Sequence, residues 1–169
     1  MEEFLIVDGY NILHAWPSMQ KLMAVNIEHA RLKLIEILSN YQALKGYKII
    51  LVFDAHYVKG SPGKKETEAG IEVIYSPEGT PADLIIEKLT ADLAQRGPVM
   101  VATSDWLEQR MVFGKGAIRL SARELEQEVK ITSYNLEPYF AKEVSSEGHL
   151  SQRISSEAQK ALEKWRRKK

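Results

Sequence analysis

At 169 residues, with 44% apolar and 27% charged side chains, the chain has the makeup of one folded domain with room for a core and an appendage, not of a disordered or fibrous protein. Its 23 basic and 23 acidic residues cancel, so overall charge names no partner, and the absence of cysteine excludes disulfides, thiolate zinc sites and cysteine nucleophiles. No apolar run approaches the roughly 18 residues of a membrane span. The acidic pair Glu2–Glu3 ahead of a short apolar run does not match a secretory leader, so a cytoplasmic protein with no membrane partner is expected.

In chain order, strands alternate with helices. Phe4–Asp8 is an apolar run that stops at an aspartate, followed by the turn formers Gly9 and Asn11. Asn26–Lys45 spaces Ile27, Ala30, Leu34, Ile37, Leu38 and Tyr41 at helical intervals, and Gly46 closes it. Lys48–Asp54 reads as a strand apolar on both faces, as in a parallel sheet covered by helices. His56–Ala69 is polar and rich in glycine and lysine, which predicts a loop. Ile71–Tyr75 is a third strand. The next helix has Thr80 as its expected cap, Pro81 in its first turn and Gly97 after its end. Val99–Thr103 is a fourth strand, Asp105–Phe113 a short helix and Ala117–Leu120 a fifth strand. Ser121 and Glu124 form a capping box that opens a further helix. This alternation predicts a three-layer α/β domain over residues 1–140 with a mainly parallel sheet.

Residues 141–169 read as a linker and a basic amphipathic helix. Ile154, Ala158, Ala161, Leu162 and Trp165 make its apolar stripe. Seven basic residues lie between Ser151 and Lys169, among them Arg166, Arg167, Lys168 and Lys169, a charge asymmetry that suits a polyanion and equally suits a solvated end.

In open α/β sheets, sites form at the carboxyl ends of the strands. Asp8, Asp54 and Asp105 fall at or just past three such ends, and Asp83 falls in the first turn of the helix after the third strand. Converging carboxylates repel one another unless a cation sits among them. Oxygen ligands select Mg²⁺ or Mn²⁺ over zinc. An ion so held positions water and offsets phosphate charge, which is nuclease or phosphatase chemistry. Each acid also has a structural reading. Asp8 and Asp54 suit turns, Asp83 completes a capping-box pattern with Thr80, and Asp105 can cap the next helix. Glu87, one turn after Asp83, either assists or is solvated, and Glu108 suits the surface.

The ordered set "VDGYN", "VFDA", "GTPADLIIE" and "VATSD" resembles the NYN-type branch of the PIN-like nucleases, and in particular the bacterial YacP-like group, over Phe4 to Phe140. The resemblance implies a sheet of strand order 3-2-1-4-5 and a metal-dependent endoribonuclease. It gives Asp8, Asp83 and Asp105 the catalytic, metal-binding places, with Asn11, Asp54, Thr103, Ser104 and Glu87 in support and Mg²⁺ or Mn²⁺ as cofactor. Ala55 stands where the family often has glycine. Only Glu108 follows Asp105 where many such sites carry a further acid, which leaves the number of ions, one or two, open. The resemblance further implies a role in RNA turnover, with single-stranded RNA, mRNA or the ribosome as partner.

Binding residues are expected outside the acids. His56, Tyr57, Lys59, Lys64 and Lys65 interleave basic and aromatic groups, a mixture that suits single-stranded RNA or a solvated loop. Arg110 and Lys115 follow the fourth strand beside Trp106, Arg166 and Arg167 lie in the tail, and His14 and Trp16 are close enough to the first motif to line a cleft. A non-catalytic RNA-binding module of the same fold is the alternative. A haloacid-dehalogenase-type phosphatase lacks its second aspartate, because Gly9 and Tyr10 follow Asp8, and no glycine-rich nucleotide-cofactor motif is present.

Overall fold

The computed structural model describes residues 1–55, 60–105, 110 and 114–135. Its elements are β1 (Phe4–Asp8), α1 (Gly9–Ala15), α2 (Pro17–Val25), α3 (Ile27–Lys45), β2 (Lys48–Phe53), β3 (Lys64–Glu68), β4 (Ile71–Tyr75), α4 (Ala82–Ala94), β5 (Val99–Ala102), β6 (Ile118–Leu120) and α5 (Ala122–Tyr134). The chain divides into a compact unit over Met1–Lys130 and a second over Ile131–Lys169. The linker and basic helix expected at 141–169 lie outside the described residues, as do His56, Tyr57, Lys59, Trp106, Glu108, Arg166 and Arg167. Among the described residues no helix is long and apolar enough to cross a membrane.

The six strands run in the order β3-β4-β2-β1-β5-β6. β1 lies at the centre, parallel to β2 with Val7 opposite Leu51, and parallel to β5 with Val7 opposite Ala102. The five parallel strands follow the expected 3-2-1-4-5 order. The expected order changes in one respect, an added edge strand, β3, antiparallel to β4. Lys64–Glu68 reads as loop because it has no apolar alternation, and it is a strand because β4 offers it an unpaired edge. Ala69 and Gly70, at φ of 49° and 84°, turn the two-residue hairpin between them. A charged edge also discourages pairing with a further chain.

β1 and β2 are apolar on both faces because both faces are covered. Leu5, Val7, Ile49, Leu51, Phe53 and Val73 pack with α1, α2, α3 and the first turn of α5, through residues such as Leu13, Leu34, Leu38 and Leu125. Phe4, Ile6, Ile50, Val52, Val99 and Val101 pack instead against α4, through Ala82, Ile86 and Leu93. The result is the three-layer arrangement expected.

Two helix boundaries depart from the sequence reading, and a third, at Trp16–Pro17, falls where that reading placed no helix. Gly9 and Asn11 do not form a simple turn, because α1 starts directly at Gly9. Gly9 is required there by contact: a Cβ at this position would run into the Phe53 ring. The ring has little room to yield, since it is fully buried beside Tyr10 and Tyr75. α1 ends at Trp16, whose ψ of 123° is the extended conformation favoured before a proline, and Pro17 opens α2. Thr80 does not cap α4. Pro81 holds the cap position, with no side-chain acceptor to offer. The Ala82 N–H donates instead to Asp54 Oδ2 at 3.2 Å. Asp54, just past the end of β2, therefore caps this helix. Other signals match their elements. Asn26 Oδ1 accepts from the Glu28 and His29 N–H groups, Gly46 ends α3 at φ 75°, and Ser121 and Glu124 exchange capping bonds of 3.1 Å.

Candidate active site at the carboxyl rim

The chain leaves β1 toward β2 on one side and later returns to β5 on the other, so the carboxyl ends of β1 and β5 bound the crevice where the winding reverses. Asp8 is the last residue of β1, half-buried, in the cap position of α1 without making a capping bond to that helix. Side chains alternate along a strand. Val7 faces α1 and α3, so Asp8 points to the α4 side, as do Asp54 after β2 and Thr103 after β5. Asp83, half-buried, sits in the first turn of α4. Asp105 is exposed, three residues beyond the end of β5.

Hydrogen bonds fix this rim. Asn11 Oδ1 accepts from the Ser104 N–H at 2.7 Å, tying the first turn of α1 to the segment after β5. Thr103 is fully buried and its Oγ1 accepts from the Asp105 N–H at 3.1 Å. Ser104 Oγ accepts from the Ala122 N–H at 3.3 Å, which joins the start of α5 to the same segment. Ser76, fully buried and absent from the sequence reading, accepts from the Ala55 N–H at 2.9 Å and shapes the turn after Asp54. No periodicity or motif marks Ser76, and only the folded neighbourhood reveals it.

Asp8, Asp83 and Asp105 are hard oxygen donors of the kind that Mg²⁺ and Mn²⁺ take, so the donor chemistry fits such an ion. Their arrangement is looser. Among the described residues no group of three or more His, Cys, Asp and Glu side chains forms a ready-made metal-holding cluster. The acids share one rim without closing into one ligand set.

Glu87 lies one turn beyond Asp83 and pairs with Lys115 at 3.7 Å. Lys64 and Lys65 are exposed on β3, paired with Glu66 at 3.2 Å and Glu72 at 2.8 Å. Lys64 stands opposite Tyr75, at the carboxyl end of β4, and so belongs to the rim. Arg110 is exposed. His14 is exposed, whereas Trp16 is core: it is 3% exposed, and its Nε1 donates to the Ala122 carbonyl at 2.8 Å. A sequence reading cannot separate a cleft tryptophan from one whose indole N–H has a buried acceptor.

Residues 5–167 match the family model of the YacP-like NYN domain. A Bacillus subtilis (strain 168) protein described as uncharacterized protein YacP is 43% identical over 166 residues, 98% of this chain and 97% of that protein. The crystal structure of Rae1 (YacP) from Bacillus subtilis superposes with a TM-score of 0.75 at 44% identity, covering 97% of this chain and 94% of that one. The crystal structure of a tryptophan-to-leucine mutant of that Bacillus subtilis protein gives a TM-score of 0.74 at 40% identity over 91% and 90% of the two chains. The rim of aspartates thus sits on a PIN-like, nuclease-like fold, and the chain belongs to the YacP-like NYN domain family.

Proposed function

We propose that this chain is a divalent-metal-dependent endoribonuclease that cleaves RNA phosphodiester bonds at the rim formed by Asp8, Asp83 and Asp105. The observation that carries the reading is the Asn11–Ser104 bond, which couples the end of β1, with Asp8, to the segment after β5, with Asp105. A Mg²⁺ or Mn²⁺ ion held by these carboxylates would supply positioned water and offset charge on the phosphate oxygens. Asn11 and Thr103 hold the backbone around the acids, and Asp54 fixes the start of the helix that presents Asp83. Lys64, Lys65, Arg110 and Lys115 around the rim, with Lys59, Arg166 and Arg167, attract the phosphate backbone, and single-stranded RNA is the substrate they suit. The same reading places the activity in cytoplasmic mRNA turnover, with ribosome-associated RNA as a substrate.

Asp83→Asn tests the catalytic assignment. As a mere dipole residue, Asp83 contributes about 0.3–1 kcal/mol, and its loss would lower stability with little change in rate. As a metal-binding acid among like charges, its neutralisation leaves the metal-free protein as stable as wild type or more so. Cleavage then falls by about a hundredfold or more, at ~1.4 kcal/mol per factor of ten. A destabilised but active variant contradicts the assignment. RNA binding without new ends in the wild type would leave the non-catalytic binding module of the same fold.

A further inference from the structure

A pocket of about 240 Å³ opens on the α3 side of the rim, lined in part by Tyr10, Glu28, Arg31, Asp54, Lys64 and Tyr75. We propose that it receives one unstacked base of the RNA, with guanine preferred over the other bases, a proposal that rests on the endoribonuclease reading above.

Size limits the ligand. Sites for drug-sized molecules run from about 300 Å³ upward, so this pocket suits a base with its nearest sugar atoms and not a dinucleotide or a folded strand. Aromatic side chains are already set in place around it. The Tyr10 and Phe53 ring centroids lie 5.1 Å apart, and Phe53 stacks on Tyr75 at 5.6 Å with 24° between the planes. Tyr10 is 8% exposed, so its ring is held by packing. Proteins that read single-stranded RNA hold splayed bases against such rings and against arginine planes.

Charge limits the ligand further. Arg31 is paired with Glu28 and Lys64 with Glu66, so the lining suits a neutral group with donors and acceptors on one edge better than a polyphosphate. Arg31 is the central element, with a side chain only 12% exposed. Its Nη1 donates to the Tyr10 hydroxyl at 2.9 Å and its Nη2 to Glu28. Its Nε is buried with no hydrogen-bond partner in the structure, a state that buried donors rarely keep. The bonds to Tyr10 and Glu28 use two of the guanidinium's five N–H donors and fix its orientation in the pocket lining. A guanidinium beside a carboxylate complements guanine, which sets a carbonyl acceptor next to two N–H donors. Arginine pairing with guanine O6 and N7 is the commonest specific base contact. At the mouth, Lys64 Nζ lies 5.0 Å from the Tyr75 ring centroid, suitably placed for the flanking phosphate.

Position ties the pocket to the cut. Asp8 is in register with Val52 on the adjacent strand, and Asp54 lies two residues further on. Asp54 lines the pocket and also caps the helix that carries Asp83. A base held there sits one strand away from Asp8, so it would set which phosphate reaches the acids.

The test uses the full chain and two independent readouts. First, the 5′-monophosphates of guanosine, adenosine, cytidine and uridine are titrated separately while backbone amide NMR shifts are followed. Second, a randomised RNA pool is incubated with Mg²⁺ or Mn²⁺ and the new ends are sequenced. The proposal expects shifts at Tyr10, Arg31 and Tyr75 with the guanosine nucleotide at about tenfold lower concentration than with the others. It also expects guanine enriched at one fixed position from the cut. Both preferences should drop toward parity in Arg31→Met and in Glu28→Gln, the latter changing an exposed side chain and guarding against misfolding of the former. Cleavage with no base preference and no pocket shifts overturns the base site and leaves the nuclease reading intact. Enrichment of another base overturns the guanine assignment. Guanosine-nucleotide shifts without any cleavage keep the base site and reject the nuclease.

Discussion

The Asn11 side-chain oxygen accepts a 2.7 Å hydrogen bond from the Ser104 N–H, although 93 positions separate the two residues. Only an acceptor is used, so charge at position 11 is dispensable for the bond. Asn11→Asp keeps the acceptor but adds a carboxylate to the acidic rim, so it should lose stability in metal-free buffer and recover part of it with Mg²⁺ or Mn²⁺. Asn11→Leu removes the acceptor and should cost about 1 kcal/mol, read as a melting temperature about 2–4 °C lower. Because the bond couples the segments carrying Asp8 and Asp105, Asn11→Leu should also slow cleavage by about tenfold or more. Equal activity in the leucine variant would detach this bond from the site.

Asp54 is the cap of α4, supplied from the segment just past β2. Asp54→Ala should lower stability by about 1 kcal/mol, the usual cost of losing a helix cap, while Asp54→Asn keeps an acceptor and should lose less. Thermal melts of both variants in metal-free buffer measure the difference. Thr80→Ala should leave stability nearly unchanged, since Thr80 makes no capping bond.

Gly9 lies against the Phe53 ring, which is held between Tyr10 and Tyr75. Gly9→Ala should therefore destabilise the fold by about 1–3 kcal/mol, although alanine ordinarily favours a helix. Denaturant unfolding reads this directly. A stabilised variant would show that α1 can move off the sheet.

Burial, followed by the charges of Glu68 and Glu66, pushes the Tyr75 hydroxyl from 10.0 up to about 12. The folded state thus holds its proton where the unfolded chain releases it. This contribution is fully present below pH 10 and is lost as pH rises from about 10 to about 12. Tyr41 is also pushed up by burial and adds to the same alkaline loss. Tyr75→Phe should therefore lose less stability across this window than wild type. Parallel stability curves for the two proteins would contradict the assignment.

Much of this was legible in the sequence. The apolar run of β2 announced a strand buried on both faces, Gly46 and the Ser121–Glu124 box marked helix ends, and Asp8, Asp54 and Asp105 fell at or just past strand ends. What escaped depended on distant partners. Lys64–Glu68 becomes a strand only because β4 offers an edge, and α4 takes its cap from Asp54 because Pro81 supplies none. Trp16 is core because the Ala122 carbonyl meets its N–H. Arg31 lies on a helix read only for its apolar spacing, so nothing in the sequence joined it to Tyr10 or Tyr75.

Metal-dependent cleavage at the rim is tested by mapping RNA ends after incubation of the full chain with naked and ribosome-bound RNA, in Mg²⁺, Mn²⁺ or EDTA, alongside Asp8→Asn. New internal ends are expected with Mg²⁺ or Mn²⁺ and none in EDTA. Cleavage should fall by about a hundredfold or more in an Asp8→Asn protein that melts as wild type does without metal. Absence of metal-dependent ends on both substrates, or undiminished cleavage by Asp8→Asn, would contradict the endoribonuclease reading.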